Sequence, residues 1–215
     1  MEKFVTLTSV AAPLAEADID TDIIFPARFL LLLDKVGLGK HLFHERRYRP
    51  GGEPTDFVLN RPPFDQARIL VADANFGSGS SREQAVWALA DFGIRCIVAP
   101  SFGEIFYSNC FKNGVLPIVL TVEQHAQVMA AARSEGPMTV DLESQTIRLP
   151  NGPDLGFDID PYRRRALLLG LDEIGGILVD DASAIEAFEA AQRRETPWLY
   201  LDDGRLDRLF AEEKE

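Results

Sequence analysis

The sequence Ala74-Asn-Phe-Gly-Ser-Gly-Ser-Ser-Arg-Glu-Gln-Ala85 follows a short apolar run, residues 68–72, and precedes an apolar stripe at helical spacing. Short runs rich in β-branched residues are typical of buried strands. The two glycines permit the backbone angles of a tight turn. Ser80 stands three residues before Glu83, which is the spacing of a capping box. The stretch therefore predicts a strand, a glycine-rich loop and a helix that begins near Ser80.

The same loop concentrates groups that bind anions. The first turn of a helix carries free N–H groups and partial positive charge, so it favours an anion. Ser80, Ser81 and Arg82 crowd this turn, and a guanidinium can hold a carboxylate through two parallel hydrogen bonds. Spacing alone leaves two interpretations open. Either Ser80 caps the helix and Arg82 is solvated, or the turn binds substrate and stabilises a serine oxyanion.

Two other glycine-rich motifs are excluded. A P-loop requires Gly-Lys-Ser/Thr, and the loop contains no lysine. A dinucleotide fingerprint requires a third glycine at the position that Arg82 occupies.

From residue 68 onward, predicted strands and helices alternate. The pattern gives strands 68–72, 94–99 and 115–120, with helices 81–92 and 101–113 between them. This β-α-β-α-β order predicts parallel strands. The glycine-rich loop then lies at the carboxyl end of a strand, where open α/β sheets bind their ligands.

The remaining elements are predicted from caps and alternation. Thr121 and Gln124 have capping-box spacing at the start of a helix, and residues 138–149 alternate as a hairpin. Asp160 precedes a proline that suits the first position of a helix. Ser183 is expected to begin the last helix.

Charge and composition exclude several function classes. The net charge is −12, from 22 basic and 34 acidic side chains, which argues against nucleic acid or an anionic membrane as a partner. No apolar run approaches the length needed to span a membrane, and the first residues lack the layout of a signal peptide. We therefore expect a cytoplasmic protein that captures an acidic substrate through a local positive group.

The cysteines and histidines predict no metal site on this chain. Cys96 and Cys110 lie in apolar patterns and are expected in the core, and two thiols cannot supply the usual ligand set of an iron–sulfur cluster. His41 and His44 are three residues apart without a third ligand nearby, so surface positions are favoured. His125 lies on the inner face of its helix and is expected to be packed.

Two segments before residue 68 are further candidates. The acidic stretch 18–22 predicts either a turn with Asx-type hydrogen bonds or a set of acceptors facing Arg82. Residues 27–52 are rich in glycine and charge, which predicts a flexible lid or specificity loop.

Three blocks of sequence resemble the aconitase-type swivelling domain family, and they occur in the family's order. The blocks are Asp20-Thr-Asp-Ile-Ile-Phe-Pro26, Asn75–Glu83 and residues 99–114. The resemblance covers residues 3–193 and is strongest to the small subunits of bacterial isopropylmalate isomerases. It implies an α/β fold, a three-layer β/β/α swivelling domain with a mostly parallel central sheet.

The same resemblance implies the domain organisation. The swivelling domain would occupy residues 1–195, with residues 27–52 as an inserted flexible specificity loop. Residues 196–215 would form a C-terminal tail, which has an amphipathic pattern of its own.

The family is similar to an aconitase split into two chains. The resemblance implies that this chain is the small subunit of a hydro-lyase, inactive without its large subunit, in a heterodimer or a larger assembly. The family reaction removes water from 2-isopropylmalate and re-adds it to give 3-isopropylmalate, in leucine biosynthesis. The large subunit would hold a [4Fe–4S] cluster that acts as a Lewis acid, and this chain would carry no cofactor.

The resemblance also assigns roles to residues. Ser80 matches the base that takes the carbon-bound proton of the substrate. Ser81 and Arg82 match residues that hold a substrate carboxylate. Thr21 and Asp22 match the loop beside the substrate, and all five would therefore contact a small hydroxy-dicarboxylate.

Two departures from the family leave alternatives open. Lys35 stands where bacterial small subunits often carry an arginine before the glycine of the specificity loop, so the resemblance implies that it binds substrate. It keeps the charge but loses the planar fork. Gln84 replaces a usual histidine. A related hydroxyacid, of the methylmalate, citrate or homocitrate type, is one alternative substrate. A non-catalytic domain that binds dicarboxylates or regulates a partner is the other alternative.

Overall fold

The computed structural model describes residues 1–32 and 34–200, and it divides the chain into two compact units, Met1–Asp172 and Glu173–Glu215. The eight strands of the described residues are β1 (Thr6–Ser9), β2 (Ala11–Leu14), β3 (Ile69–Ala72), β4 (Cys96–Ala99), β5 (Leu116–Val119), β6 (Met138–Asp141), β7 (Thr146–Arg148) and β8 (Leu155–Gly156). The α-helices are α1 (Thr21–Ile24), α2 (His44–Arg47), α3 (Glu83–Phe92), α4 (Glu104–Lys112), α5 (Val122–Arg133), α6 (Pro161–Leu169), α7 (Glu173–Asp180) and α8 (Ala182–Glu195).

The strands of the first unit form two sheets. One is entirely parallel, in the order β2-β3-β4-β5, and the other is antiparallel, in the order β1-β6-β7-β8. The parallel sheet confirms the prediction from the alternating strands and helices. β2 is an additional edge strand that was not predicted from the sequence, and its Pro13 suits an edge because proline cannot donate to a ladder.

The parallel sheet is buried on both faces, because alternate side chains of each strand enter different cores. Leu70 and Ala72 of β3 pack with α3, whereas Ile69 and Val71 pack in the core that contains β1 and β6. A strand covered on both sides is uniformly apolar, as this one is. The three-layer β/β/α architecture with a parallel central sheet is therefore confirmed.

The capping box predicted at Ser80 and Glu83 does not form, and the same spacing of Ser101 and Glu104 at the start of α4 does not produce one either. The N-cap of α3 is Arg82 and that of α4 is Gly103, and neither has a side-chain cap bond. Ser80 and Ser101 each take another partner instead. The Thr121–Gln124 capping box does form.

The ends of other elements lie close to their predicted positions. Asp160 caps α6 through Arg163 N–H, as predicted, and the 138–149 hairpin is present as β6 and β7. The N-cap of α8 is Asp181 rather than Ser183.

The segment 27–52 contributes apolar side chains to the core of the first unit. Leu38, Leu42 and Phe43 are fully buried in the same core as α3. The Gly39 N–H donates to Asp91 Oδ2 at 2.7 Å. The apolar side chains of Leu31 and Val36, by contrast, are 89% and 79% exposed. Apolar side chains of residues 38–47 therefore belong to the core beside α3, and the flexible specificity loop stays a prediction.

The second unit contains α7, α8 and the 3-10 turn Pro197–Leu199. The first unit ends at Asp172, whereas the boundary predicted from the sequence lies after residue 195. The predicted amphipathic tail lies mostly in residues 201–215, outside the described residues. Within residues 1–32 and 34–200, none of the helices has the length and apolar character needed to cross a membrane.

Candidate functional site

The glycine-rich loop is joined by backbone hydrogen bonds to the other two sequence blocks. Gly77 N–H donates to Ile19 O at 2.7 Å, and Thr21 N–H donates to Ser78 O at 3.0 Å. On the other side, Gly103 N–H donates to Phe76 O at 2.9 Å. Three segments that are distant in the chain therefore meet directly after β3, at the carboxyl end of a parallel strand.

A glycine is required at position 77 for these three segments to come together. Its φ is +75°, and a Cβ atom there would lie 2.2 Å from Cγ of the buried Phe106 ring. Both the left-handed backbone and the missing side chain are therefore needed for the loop to pass so close to α4.

Ser80 bonds to Thr21 rather than capping α3. The two hydroxyl oxygens lie 2.9 Å apart, and either can be the donor. Thr21 is 1% exposed and belongs to α1, whose N-cap Asp20 accepts from Ile23 N–H at 2.8 Å. A buried, fixed hydroxyl thus orients the exposed hydroxyl of Ser80.

Arg82 and Asp22 form an ion pair beside this hydroxyl pair. The Arg82 guanidinium donates to Asp22 Oδ1, and the two side chains are 21% and 53% exposed. The structure therefore brings four of the predicted site residues together, since Thr21 and Asp22 are neighbours on α1 and Ser80 and Arg82 flank Ser81. Ser81 itself is exposed between them.

Lys35 belongs to a second group of side chains. Its Nζ lies 3.3 Å from Asn113 Oδ1 and 4.4 Å from the centroid of the Trp87 ring. Glu83 Oε1 accepts from both Trp87 Nε1, at 3.2 Å, and Asn113 Nδ2, at 2.8 Å. This group was not predicted from the sequence. The four-residue spacing of Glu83 and Trp87 on a helix was an available signal.

The cysteines are core residues, as predicted. Cys96 and Cys110 are free and completely buried. Burial raises the pKa of both thiols, and for Cys110 the charge of Cys96 adds to this effect. Across residues 1–32 and 34–200, no group of three or more His, Cys, Asp or Glu side chains has the arrangement of a metal site.

The histidines differ from expectation in one respect. His125 is buried and its Nε2 lies 2.7 Å from Ala72 O, which confirms the packed position. His41 and His44 are half-buried rather than at the surface, because both rings pack on Phe29 at centroid distances of 4.0 and 5.0 Å. Neither of their Nδ1 atoms has a hydrogen-bond partner in the described part of the chain.

Models of known families match most of the chain. The aconitase C-terminal domain matches residues 1–123, and a LeuD model matches residues 126–161. The C-terminal domain of the 3-isopropylmalate dehydratase small subunit matches residues 180–202.

Individual relatives cover nearly the whole length. The 3-isopropylmalate dehydratase small subunit of Gluconacetobacter diazotrophicus is 55% identical, over 92% of this chain and 97% of its own. That of Paramagnetospirillum magneticum is 52% identical, over 93% of this chain and 100% of its own. The crystal structure of 3-isopropylmalate dehydratase (LeuD) from Methanocaldococcus jannaschii has a TM-score of 0.62 at 25% identity. It covers 86% of this chain and 99% of its own. The chain therefore belongs to the family of 3-isopropylmalate dehydratase small subunits, which has the aconitase C-terminal fold.

Proposed function

We propose that this chain is the small subunit of a hydro-lyase that interconverts 2-isopropylmalate and 3-isopropylmalate, with Ser80 as the base. The observation that carries the proposal is the Ser80–Thr21 pair, in which a buried hydroxyl lies 2.9 Å from an exposed one. The names of its relatives, over nearly the full length, support the substrate. The pathway would then be leucine biosynthesis.

In this reaction the chain has two tasks, which are to move a proton and to hold a substrate carboxylate. Dehydration removes a hydroxyl group from one carbon of the substrate and a proton from the neighbouring carbon, and rehydration reverses the two losses with the positions exchanged. Ser80 Oγ takes the carbon-bound proton and later returns it. Thr21 Oγ1 donates to Ser80 Oγ while that oxygen carries negative charge, and so stabilises it.

Arg82 is the group that holds a substrate carboxylate. A guanidinium carries five N–H donors in a planar fork, and the bond to Asp22 occupies one of them. The ion pair therefore fixes the plane of the fork and leaves capacity for a two-point contact with a carboxylate. Ser81, exposed beside it, adds a hydroxyl donor.

The partner is the large subunit, in a heterodimer or a larger assembly. The donor set of the described residues does not fit an iron–sulfur cluster, because both thiols are buried and their pKa values are raised. We therefore assign the [4Fe–4S] cluster to the large subunit, where it would serve as the Lewis acid for the substrate hydroxyl. A biosynthetic enzyme of this kind is expected in the cytoplasm.

The test is Ser80→Ala in the enzyme assembled with its large subunit under anaerobic conditions. We expect kcat to fall by about 10²–10⁴-fold, which is the usual contribution of a general base, while co-purification of the subunits is unchanged. Ser134→Ala is the matched control, because Ser134 is an exposed serine at the end of α5 that bonds only to its own helix, at Ala131 O, among the described residues. Retained turnover in Ser80→Ala would disprove the assignment.

The same assembled enzyme separates the alternatives. Turnover of methylmalate, citrate-like or homocitrate-like acids in preference to isopropylmalate would move the proposal to a related substrate, as the Lys35 and Gln84 departures allow. Unchanged partner activity in Ser80→Ala, with dicarboxylate binding by the isolated chain, would instead support a binding or regulatory domain.

A further inference from the structure

An exposed lysine reaches two residues that are far from it in the chain. Lys35 belongs to the exposed tip of the 27–52 segment. Its ammonium nevertheless lies 4.4 Å from the centroid of the Trp87 ring, on α3, and 3.3 Å from Asn113 Oδ1, at the end of α4. A cation over an indole face is attracted by the ring quadrupole.

The two groups that receive the ammonium are oriented in advance by Glu83. Asn113 Nδ2 donates to Glu83 Oε1 at 2.8 Å and to Asn109 O at 2.9 Å. Since both amide N–H donors are used, the amide must present its carbonyl oxygen to Lys35. Trp87 Nε1 donates to the same Glu83 oxygen at 3.2 Å, which fixes the plane of the indole.

The charges of this group also favour a cation. Glu83 places a carboxylate behind both receiving side chains, and a chain of hydrogen bonds that ends on a charged group polarises its members. Because Lys35 is exposed, water competes for its ammonium, so the contact biases the position of the loop tip without locking it.

We propose that Glu83, Trp87 and Asn113 form a cation cage that docks the Lys35 ammonium and sets the resting position of the loop tip, residues 34–37. The cage lies on the N-terminal half of α3, the helix that begins directly after Arg82. Lys35 is thereby a positioning residue that ties the loop tip to the helix carrying the candidate site. A contact between Lys35 and substrate would rest on the proposed function, whereas the docking of its ammonium in the cage does not.

The docking can be measured by fluorescence on the full-length chain. Its two tryptophans are Trp87 and Trp198, so Trp198→Phe leaves Trp87 as the single reporter. In that background we expect Lys35→Ala to raise the acrylamide quenching constant of Trp87 at least two-fold, because the side chain that covers the ring is lost. Lys40→Ala is the matched control. Lys40 is an exposed lysine of the same segment, and its replacement is expected to leave quenching unchanged.

Two further variants test the cage rather than simple coverage of the ring. Asn113→Ala removes the acceptor of the Lys35 bond. The double variant with Lys35→Ala is expected to have a quenching constant of Trp87 no higher than that of Lys35→Ala alone. Since Asn113 also caps α4, Lys35→Glu gives a second test at an exposed position. Its carboxylate is repelled by Glu83, so quenching is expected to rise at least as much as in Lys35→Ala.

Equal quenching in the Trp198→Phe parent and in Lys35→Ala would overturn the proposal, as would additive increases in the double variant. The measurement uses neither substrate nor large subunit. It can therefore fail while Ser80→Ala still abolishes turnover, or succeed while the proposed reaction fails.

Discussion

The hydroxyl oxygens of Ser80 and Thr21 lie 2.9 Å apart, although 59 positions separate the two residues in the chain. Thr21 is buried on α1, and Ser80 is exposed on the glycine-rich loop. The backbone bond from Thr21 N–H to Ser78 O holds the two segments in register. The position of the proposed base is therefore set by a residue outside its own loop.

Thr21→Val is expected to lower kcat of the assembled enzyme by roughly 2- to 12-fold. The substitution keeps the shape of the side chain but removes the hydroxyl, and a net hydrogen bond contributes about 0.5–1.5 kcal/mol. Steady-state kinetics measure the change. Thr8→Val is the control, because Thr8 makes a similar 2.8 Å hydroxyl pair with Thr139 between β1 and β6. Equal kcat values for the two variants would contradict the role of Thr21.

Gly77→Ala is expected to reduce the free energy of unfolding by roughly 2–5 kcal/mol. A left-handed backbone costs a residue with a side chain about 1–2 kcal/mol, and overpacking against Phe106 costs about 1–3 kcal/mol. Urea unfolding measures the loss. Gly37→Ala separates the two contributions, because Gly37 has a φ of +84° with no atom within 4 Å of its Cβ position. A loss in Gly77→Ala no larger than in Gly37→Ala would show that the loop can move away from Phe106.

Arg47→Met is expected to reduce the free energy of unfolding by roughly 3–6 kcal/mol, since it removes two bonds and each bond from a charged donor contributes about 1.5–3 kcal/mol. Arg47 is 9% exposed and donates to Asn60 Oδ1 at 2.9 Å and to Gly39 O at 3.0 Å. The neighbouring Arg46→Met is the control. Arg46 pairs with Glu16 at the surface, where such a pair contributes less than about 1 kcal/mol. Similar losses in both variants would refute a structural role for the buried arginine.

His41 is expected to make the first unit less stable in mild acid. Burial, followed by the charges of Lys40, His44 and Arg28, lowers the pKa of His41 below its ordinary value of 6.5. The unfolded chain therefore binds this proton more readily than the folded one. The stability that His41 contributes is present above pH 6.5 and is lost as the pH falls through the lowered pKa.

The measurement compares urea midpoints at pH 7.5 and 5.5. His41→Phe keeps a ring at the 4.0 Å stack on Phe29 and removes the titration, so its midpoint is expected to fall less than that of the parent chain. The carboxylates titrate in both proteins, and their effect cancels in the difference. An identical fall in both would show that His41 does not contribute to the acid sensitivity.

The sequence by itself determined the order and the type of the elements from β3 to β7, together with α6 and α8, but not β8 or α7. Apolar runs such as Ile69–Ala72, and caps such as Thr121 and Asp160, act over a few neighbouring residues, so their pattern is visible in the chain. The resemblance in three blocks pointed to Ser80, Arg82, Thr21 and Asp22 as candidate site residues. It could not show which side chains those residues touch.

Only the tertiary structure decided the start of α3, the partner of Ser80 and the position of Lys35. The spacing of Ser80 and Glu83 in the chain is compatible with a capping box. In the folded structure, however, Ser80 bonds to Thr21 and Glu83 bonds to Asn113 instead. Each of these bonds joins segments at least 30 positions apart, and the Lys35–Asn113 contact spans 78. Local propensity is a weak preference that such contacts override, because packing fixes which polar groups meet once the chain is folded.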